Sequence, residues 1–463
     1  MRIRQNSKIL SVFLAFTLLL TALQTPVNAQ ERRISFIRDA ETEHTLSLYA
    51  QPLFIAAGLD PAAVRLYIVN NDDINAFVAG GQNVFMHTGL LMRAETPEQV
   101  KGVLAHELGH VSGGHLARAQ EELSRLSAAT IATMVVGGAA AVASGSSQAL
   151  GAVLTGSSQL GQRLALRYSR TQESAADQAG VRYLAAAELP PTGLYEFMQI
   201  LDSTSLLRRG ADPYVQSHPL TQDRIAFLKN KNDESPFIGR QVSKELQIAH
   251  ERMRGKLLGF LGNPQQIAAG IVPPKFKYSP LTLQYAKAIA TYRLGDSTAG
   301  EAAFAKLFEQ FPGDAYLHET RGQLRLELAN IDGAIEDYAR AYALAPTEPA
   351  LRMAYAQALL ADEKNNKVNA RLIEEVVRPV VISEPDNIGA WRMLALSYAF
   401  QGKDGQAALA TAERAFLQRD RQLLESSLKQ AEKLLADDKT AMVRVSDLRE
   451  ALKNSLAQDE RFR

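Results

Sequence analysis

Pro97-Glu98-Gln99-Val100-Lys101-Gly102-Val103-Leu104-Ala105-His106-Glu107-Leu108-Gly109-His110 is the stretch on which the reading of this chain turns. Thr96 and Glu98–Gln99 mark a helix start, and Val100, Val103, Leu104 and Leu108 recur at helical spacing. On an α-helix, residues four apart lie one turn along on nearly the same face, so His106 and His110 can aim one imidazole each at a shared metal ion. Glu107 projects about 100° round from His106, where it can reach a water on the metal rather than the metal. H-E-x-x-H thus divides the labour of hydrolysis. Neutral imidazoles hold zinc, zinc acidifies water, and a carboxylate takes the proton as the oxygen attacks a carbonyl. The competing reading is an accidental pentapeptide with two structural histidines.

A third ligand is needed. In the pattern H-E-x-x-H-x-x-G-x-x-H, Gly113 falls in place, but the last position is Leu116 and His115 comes one residue early. One residue is about 100° of helix, so His115 reads as an ordinary, partly exposed histidine. A glutamate from a second helix is the other solution. Glu173-Ser174-Ala175-Ala176-Asp177 offers one, with Ala175, Ala176, Ala179 and Gly180 small enough for close helix packing. Glu173 would complete a His₂Glu set with an open fourth position. Asp177 suits the hydrogen-bonding partner that fixes a ligand histidine's tautomer. Alone, E-x-x-x-D would read as a solvated helix face.

With these two motifs the sequence resembles the gluzincin peptidases that include the membrane protease HtpX and the CAAX prenyl protease. Two further stretches agree. Asn75-Ala76-Phe77-Val78-Ala79-Gly80-Gly81 and Val84-Phe85-Met86-His87-Thr88-Gly89-Leu90-Leu91 read as a hairpin with a tight Gly-Gly turn. The resemblance implies an edge strand there, with Asn75, Ala76 and Phe77 pairing with substrate backbone; a plain structural hairpin is the alternative. Ser217-His218-Pro219-Leu220, with Arg224 beyond, resembles a family segment lying near the metal. His218 then either stabilises an oxyanion or fills zinc's fourth position and silences the enzyme, or else is a loop residue. Arg224 reads as a structural ion-pair partner.

Arg2, Arg4 and Lys8 precede an apolar run, Ile9–Leu23, and Val27-Asn28-Ala29 supplies small residues. This predicts a secretory signal peptide (1–29) cleaved after Ala29, and hence an exported protein. Removing those three cations from a formal net charge of +1 leaves a slightly acidic remainder, which argues against nucleic acid as a partner. There is no cysteine, so the cores must hold without disulfides. From Leu126 to Gln162 there is no charge. That stretch reads as a buried helix and Gly/Ser loop over the active site, with membrane insertion as the alternative.

Beyond Gly262-Asn263-Pro264 and Pro273-Pro274 the chain reads as paired amphipathic helices. Pro312 and Pro346 stand 34 residues apart, the tetratricopeptide period, with Gly322, Ala334, Tyr338 and Ala341 at motif positions. Trp391-x-x-Leu394-Ala395-x-x-Tyr398, with Ala407, opens another repeat. Pro385 follows Pro346 by 39 residues, which predicts an insertion near the charge run Asp362–Lys367. About four repeats with Arg421–Leu435 as terminal helix would stack into a solenoid; generic helical packing is the alternative. The predicted fold is mostly α: a gluzincin metallopeptidase domain (30–262, helical with a small β-sheet), a linker (263–278) and an α-solenoid of tetratricopeptide repeats (279–463).

That order resembles the group of periplasmic β-barrel assembly-enhancing proteases. The resemblance implies a zinc endopeptidase, one zinc per chain, acting in outer-membrane protein assembly and quality control. Unfolded or stalled outer-membrane proteins and the assembly machinery would be partners through the repeats, with peripheral membrane contact. The alternative is a chaperone or scaffold with proteolysis secondary. Group members carry cysteines in the repeats, so any cross-link between the domains has no counterpart here.

Overall fold

In the computed structural model, the described residues are 35–461, excluding 62, 80–81, 116–168, 208–212 and 274–276. The signal-peptide and Leu126–Gln162 expectations, and the Gly80-Gly81 turn, lie outside them. Among the described residues no helix is long and apolar enough to cross a membrane.

Four short strands form one mixed sheet: β1 (Phe36–Ile37), β2 (Arg65–Val69), β3 (Ala76–Ala79) and β4 (Asn83–His87), in the order β1-β2-β4-β3. β2 and β4 run parallel; β3 pairs antiparallel with β4, with Phe77 opposite Phe85. Side chains alternate between the two faces. Ile68, Val84, Met86, Ala76 and Val78 enter the core. On the other face Phe36, Tyr67, Phe85 and Phe77 form an aromatic row, the last three stacked with ring centroids 5.0 Å apart.

The hairpin is shorter than the sequence suggests. After His87 the chain does not stay extended but turns into a helix, Thr88–Arg93. Gly89, in the first turn of that helix, packs so tightly that a Cβ would lie 2.2 Å from the Asp72 carbonyl oxygen.

The N-terminal half contains α1 (Ala40–Ala56), α2 (Thr88–Arg93), α3 (Pro97–Ser112), α4 (Arg170–Ala186), α5 (Thr192–Leu207), α6 (Pro213–Ser217), α7 (Gln222–Asp233), α8 (Lys244–Leu261) and α9 (Pro264–Ala268). Helix α3 starts as predicted: Pro97 occupies its first turn and the Thr96 side chain accepts the Gln99 N–H. It is buried on nearly every side, between α1, α4, α5 and β3, its polar residues Gln99, Lys101, His106, Glu107 and His110 included. At Gly109 the α4 backbone comes so close that a Cβ would lie 2.7 Å from the Ala176 oxygen. That closeness brings the His-Glu and Glu-Asp motifs face to face.

Paired helices follow: α10 (Pro280–Arg293), α11 (Ser297–Gln310), α12 (Ala315–Glu327), α13 (Ile331–Leu344), α14 (Pro349–Ala361), α15 (Asn366–Ser383), α16 (Ile388–Phe400), α17 (Asp404–Gln418), α18 (Arg421–Leu434) and α19 (Lys439–Arg461). Each packs on the next. Small and aromatic repeat positions make the contacts: Ala334 and Tyr338 join Tyr355, Ala356 and Leu359 in one core. Two expectations need correction. Arg421–Leu434 is not terminal, because α19 packs on it through Val445, Leu448 and Leu452. The insertion lies mostly within a helix: α15 has 18 residues where α13 has 14, and the charge run holds only a short 3-10 turn, Glu363–Asn365.

The two halves meet in a buried charge cluster. Lys256 of α8, 2 % exposed, places Nζ 2.5 Å from both Asp39 Oδ2 and Glu319 Oε2. Arg252 pairs with Glu41 at 2.7 Å and also with Asp314. The Tyr285 hydroxyl donates to Glu41 over 2.9 Å. Further out, Arg65 of β2 pairs with Asp386, and Arg38 with Glu384. In this corner Trp391, half-buried, donates its indole N–H to the Pro385 carbonyl over 2.9 Å.

Candidate metal centre

His106 and His110 of α3, Glu173 of α4 and His218 just past α6 converge from three elements, all within 1 % of complete burial. Each offers one ligand atom, and the four lie within 4.8 Å of one another. His106 Nε2 is 3.1 Å from His110 Nε2 and 3.4 Å from His218 Nδ1. Glu173 Oε1 is 3.3 Å from His110 Nε2 and 3.1 Å from His218 Nδ1. Two donors on a tetrahedral ion with bonds of about 2.0–2.1 Å stand about 3.3 Å apart. These four separations are close to the edge length of such a tetrahedron, and the donor set fits a four-coordinate metal ion.

Around the four donors stands a second layer. His106 Nδ1 is 2.9 Å from Asp177 Oδ1, an ion-pair contact off the ideal hydrogen-bond line. Arg224 clamps this side, with Nε 2.6 Å from Asp177 Oδ2, Nη1 2.6 Å from Glu173 Oε2, and Nη1 donating to the Pro219 carbonyl over 2.9 Å. It fills the ion-pair role expected of it, and ties the His218-Pro219 segment to α4. Tyr214 stacks on His218, centroids 4.5 Å apart and planes 21° off parallel. Glu107 stands apart. Both its oxygens are buried and accept no hydrogen bond from any described residue, with His218 Nε2 3.5 Å from Oε1.

The electrostatics follow from burial and neighbours. On Glu107 burial prevails and raises the carboxyl pKa. On Glu173 burial pushes upward too, but the His218 charge and the contacts from His106 and His110 hold it well below the usual range. Asp177 is likewise lowered against burial, chiefly by Arg224. Burial drives His110 down to about 3, whereas the contacts of His106 with Asp177 and Glu173 outweigh burial and lift it to about 10. A ligand must shed its proton, so metal binding here releases protons.

Of the residues predicted for the site, the structure brings together His106, Glu107, His110, Glu173, Asp177 and His218. Of the substrate-binding candidates, Ala76 and Phe77 sit on β3, an edge strand of the sheet, against which α3 packs. Asn75 Oδ1, just before it, is buried and has no partner among the described residues. Ala76 turns into the core, so only its backbone is available; Phe77 stacks on Phe85 on the outer face.

His115 corrects its sequence reading. It is only 4 % exposed, with Nδ1 3.0 Å from His110 Nδ1. Helical spacing fails here because α3 stops at Ser112 and Gly114, at φ +62°, turns the chain back. Tyr214 was missed, although its four-residue spacing from His218 within one helical turn was a usable signal.

Known proteins share parts of this sequence. Residues 40–232 match Peptidase family M48, and residues 308–415 match the Cytochrome c-type biogenesis protein H TPR domain. The chain is similar to the Beta-barrel assembly-enhancing protease of Yersinia pestis, 27 % identical over 84 % of this chain and 76 % of that one. It is 24 % identical to the protein of the same name from Escherichia coli (strain K12), over 75 % of this chain and 70 % of that one. Metalloprotease LoiP of Escherichia coli (strain K12) is 26 % identical over 37 % of this chain and 63 % of its own length. The chain is a metallopeptidase with a peptidase family M48 domain, followed by tetratricopeptide-like helical repeats.

Proposed function

We propose that the chain is a zinc endopeptidase in which His106, His110 and Glu173 hold the metal and Glu107 is the general base. The observation that carries this reading is the four donor separations of 3.1–3.4 Å, close to tetrahedral edges, beside a buried carboxylate that accepts no hydrogen bond from the described residues. Zinc in such a set supplies Lewis-acid activation of water and of the scissile carbonyl. Glu107 takes the proton of the attacking water and passes it to the departing amine; its raised pKa suits both transfers. Asp177, fixed by Arg224, keeps the His106 proton on Nδ1 and leaves Nε2 for the metal. The β3 edge presents backbone groups to an extended substrate, and Asn75 Oδ1 accepts a substrate N–H. Purified protein is expected to hold one zinc per chain. Glu107→Gln keeps it but loses about 10²–10⁴ in turnover; undiminished cleavage refutes the mechanism.

His218 is read as the fourth protein ligand of a resting state, because its Nδ1 lies 3.4 Å from His106 Nε2 and 3.1 Å from Glu173 Oε1. A fourth protein donor closes the site to water, and substrate or a partner must displace it. His218→Ala then raises cleavage of an unfolded substrate, and self-cleavage, with zinc retained. A fall on the order of a hundredfold assigns His218 to oxyanion stabilisation instead.

The relatives' name, Beta-barrel assembly-enhancing protease, supports a role in outer-membrane protein assembly and quality control. In this reading the chain is exported by its signal peptide, cleaved after Ala29, and works in the periplasm. The repeats recruit stalled outer-membrane proteins or the assembly machinery, with peripheral membrane contact and no nucleic acid. Complementation of a deletion strain tests it. Full rescue of envelope integrity by Glu107→Gln makes scaffolding the main task; failure makes proteolysis the main task.

A further inference from the structure

We infer that His115 is a positioning residue for His110, fixing its tautomer and ring orientation for the metal; this rests on the reading of His110 as a ligand. The two ligand histidines of α3 have different supports. His106 turns Nδ1 to a carboxylate, Asp177, itself held by Arg224. His110 turns Nδ1 to an imidazole, with the two Nδ1 atoms 3.0 Å apart and the rings near perpendicular at 75°.

An imidazole that binds metal through Nε2 carries its proton on Nδ1. His110 Nε2 faces His106 and Glu173, so its Nδ1–H donates to His115. His115 must accept on Nδ1 and keep its own proton on Nε2. Each ring therefore sets the tautomer of the other.

The chain is built to deliver this contact. Gly114 supplies the left-handed turn at φ +62°. Gly113 leaves the space that the imidazole fills: a Cβ there would lie 2.5 Å from His115 Nε2. The Gly-Gly-His sequence after α3 thus acts as one unit, returning a side chain to the ligand one turn back. A neutral acceptor raises the basicity of its ligand less than a carboxylate does, so His110 is the weaker donor of the pair.

The test is metal affinity, measured by chelator competition for zinc in the Glu107→Gln chain, where self-cleavage is removed. His115→Ala is expected to weaken zinc on the order of 10–100-fold. His115→Asn, which keeps an acceptor, should recover most of that, with the metal-free melting temperature unchanged across the series. Zinc affinity of His115→Ala within twofold of the parent overturns the inference, provided His110→Ala is strongly impaired. If His110→Ala also binds zinc within twofold, the reading of His110 as a ligand falls first. Nitrogen-15 imidazole spectra of the zinc-loaded chain read the tautomers without any substitution at His115. A protonated His115 Nε2 with a bare Nδ1 supports the inference, and the reverse pattern overturns it.

Discussion

Two buried polar clusters lie in this molecule, one at the metal centre and one where the catalytic half meets the repeats. In the second, acids and bases are paired with one another: Lys256 lies between Asp39 and Glu319, Arg252 between Glu41 and Asp314. In the first, four ligand atoms gather within 4.8 Å of one another, and Glu107 accepts no hydrogen bond from the described residues, with only the His218 ring 3.5 Å away. Burial of charge is common to both, so burial does not mark function. What marks it is a carboxylate left without a donor on either oxygen. At the junction every carboxylate named meets a base, and of these groups only the Arg252 Nε donor lacks a hydrogen bond among the described residues. Acids paired with bases hold a structure together, whereas a buried carboxylate without a donor suits a reacting group.

Exchanging a charge in each cluster breaks or sharpens that contrast. Lys256→Met strands Asp39 and Glu319 in the interior, and is expected to cost about 3–5 kcal/mol of stability while leaving the metal centre intact. Chemical unfolding measures it, and a loss below about 1 kcal/mol would reduce the junction to a surface-like contact. Asp177→Asn acts in the other cluster. It should weaken zinc by about 10–100-fold, read by chelator competition, with a smaller effect on the melting temperature than Lys256→Met.

The third exchange concerns pH. Burial raises the Glu319 carboxyl to about 7, although Lys256 pulls it down. An acid with a raised folded pKa contributes stability that is complete below the usual carboxyl range and is lost as pH rises through about 7. Glu319→Gln should therefore flatten the fall in stability over that window, by at most about 1.4 kcal/mol per pH unit. Parallel unfolding curves across the window for parent and variant would contradict it.

The same contrast explains what could be read from the sequence. His106, Glu107 and His110 share one helix, and so do Glu173 and Asp177, so local periodicity was enough to place them. The meeting of the two helices at Gly109 and Ala176 was signalled only by small residues. His218 could be assigned to the neighbourhood but not to a role, because a residue before proline has no period to fix its direction. His115 escaped because it depends on a left-handed glycine, and the junction because its pairs span distant segments, Asp39 with Lys256 and Lys256 with Glu319. Helix α19 escaped for another reason. Its buried stripe, Val445, Leu448 and Leu452, is thin within a strongly charged segment.

The corner at residues 384–391 has a use of its own. Trp391 is the chain's single tryptophan, anchored to Pro385 beside the Arg65–Asp386 and Arg38–Glu384 pairs. Its emission therefore comes from one place, where the sheet touches the repeats, with no second indole to blur it. An event that loosens those pairs is expected to shift the segment 384–386 that anchors the indole, and with it the emission. The native chain thus carries its own optical gauge of the contact between its two halves, with no label required.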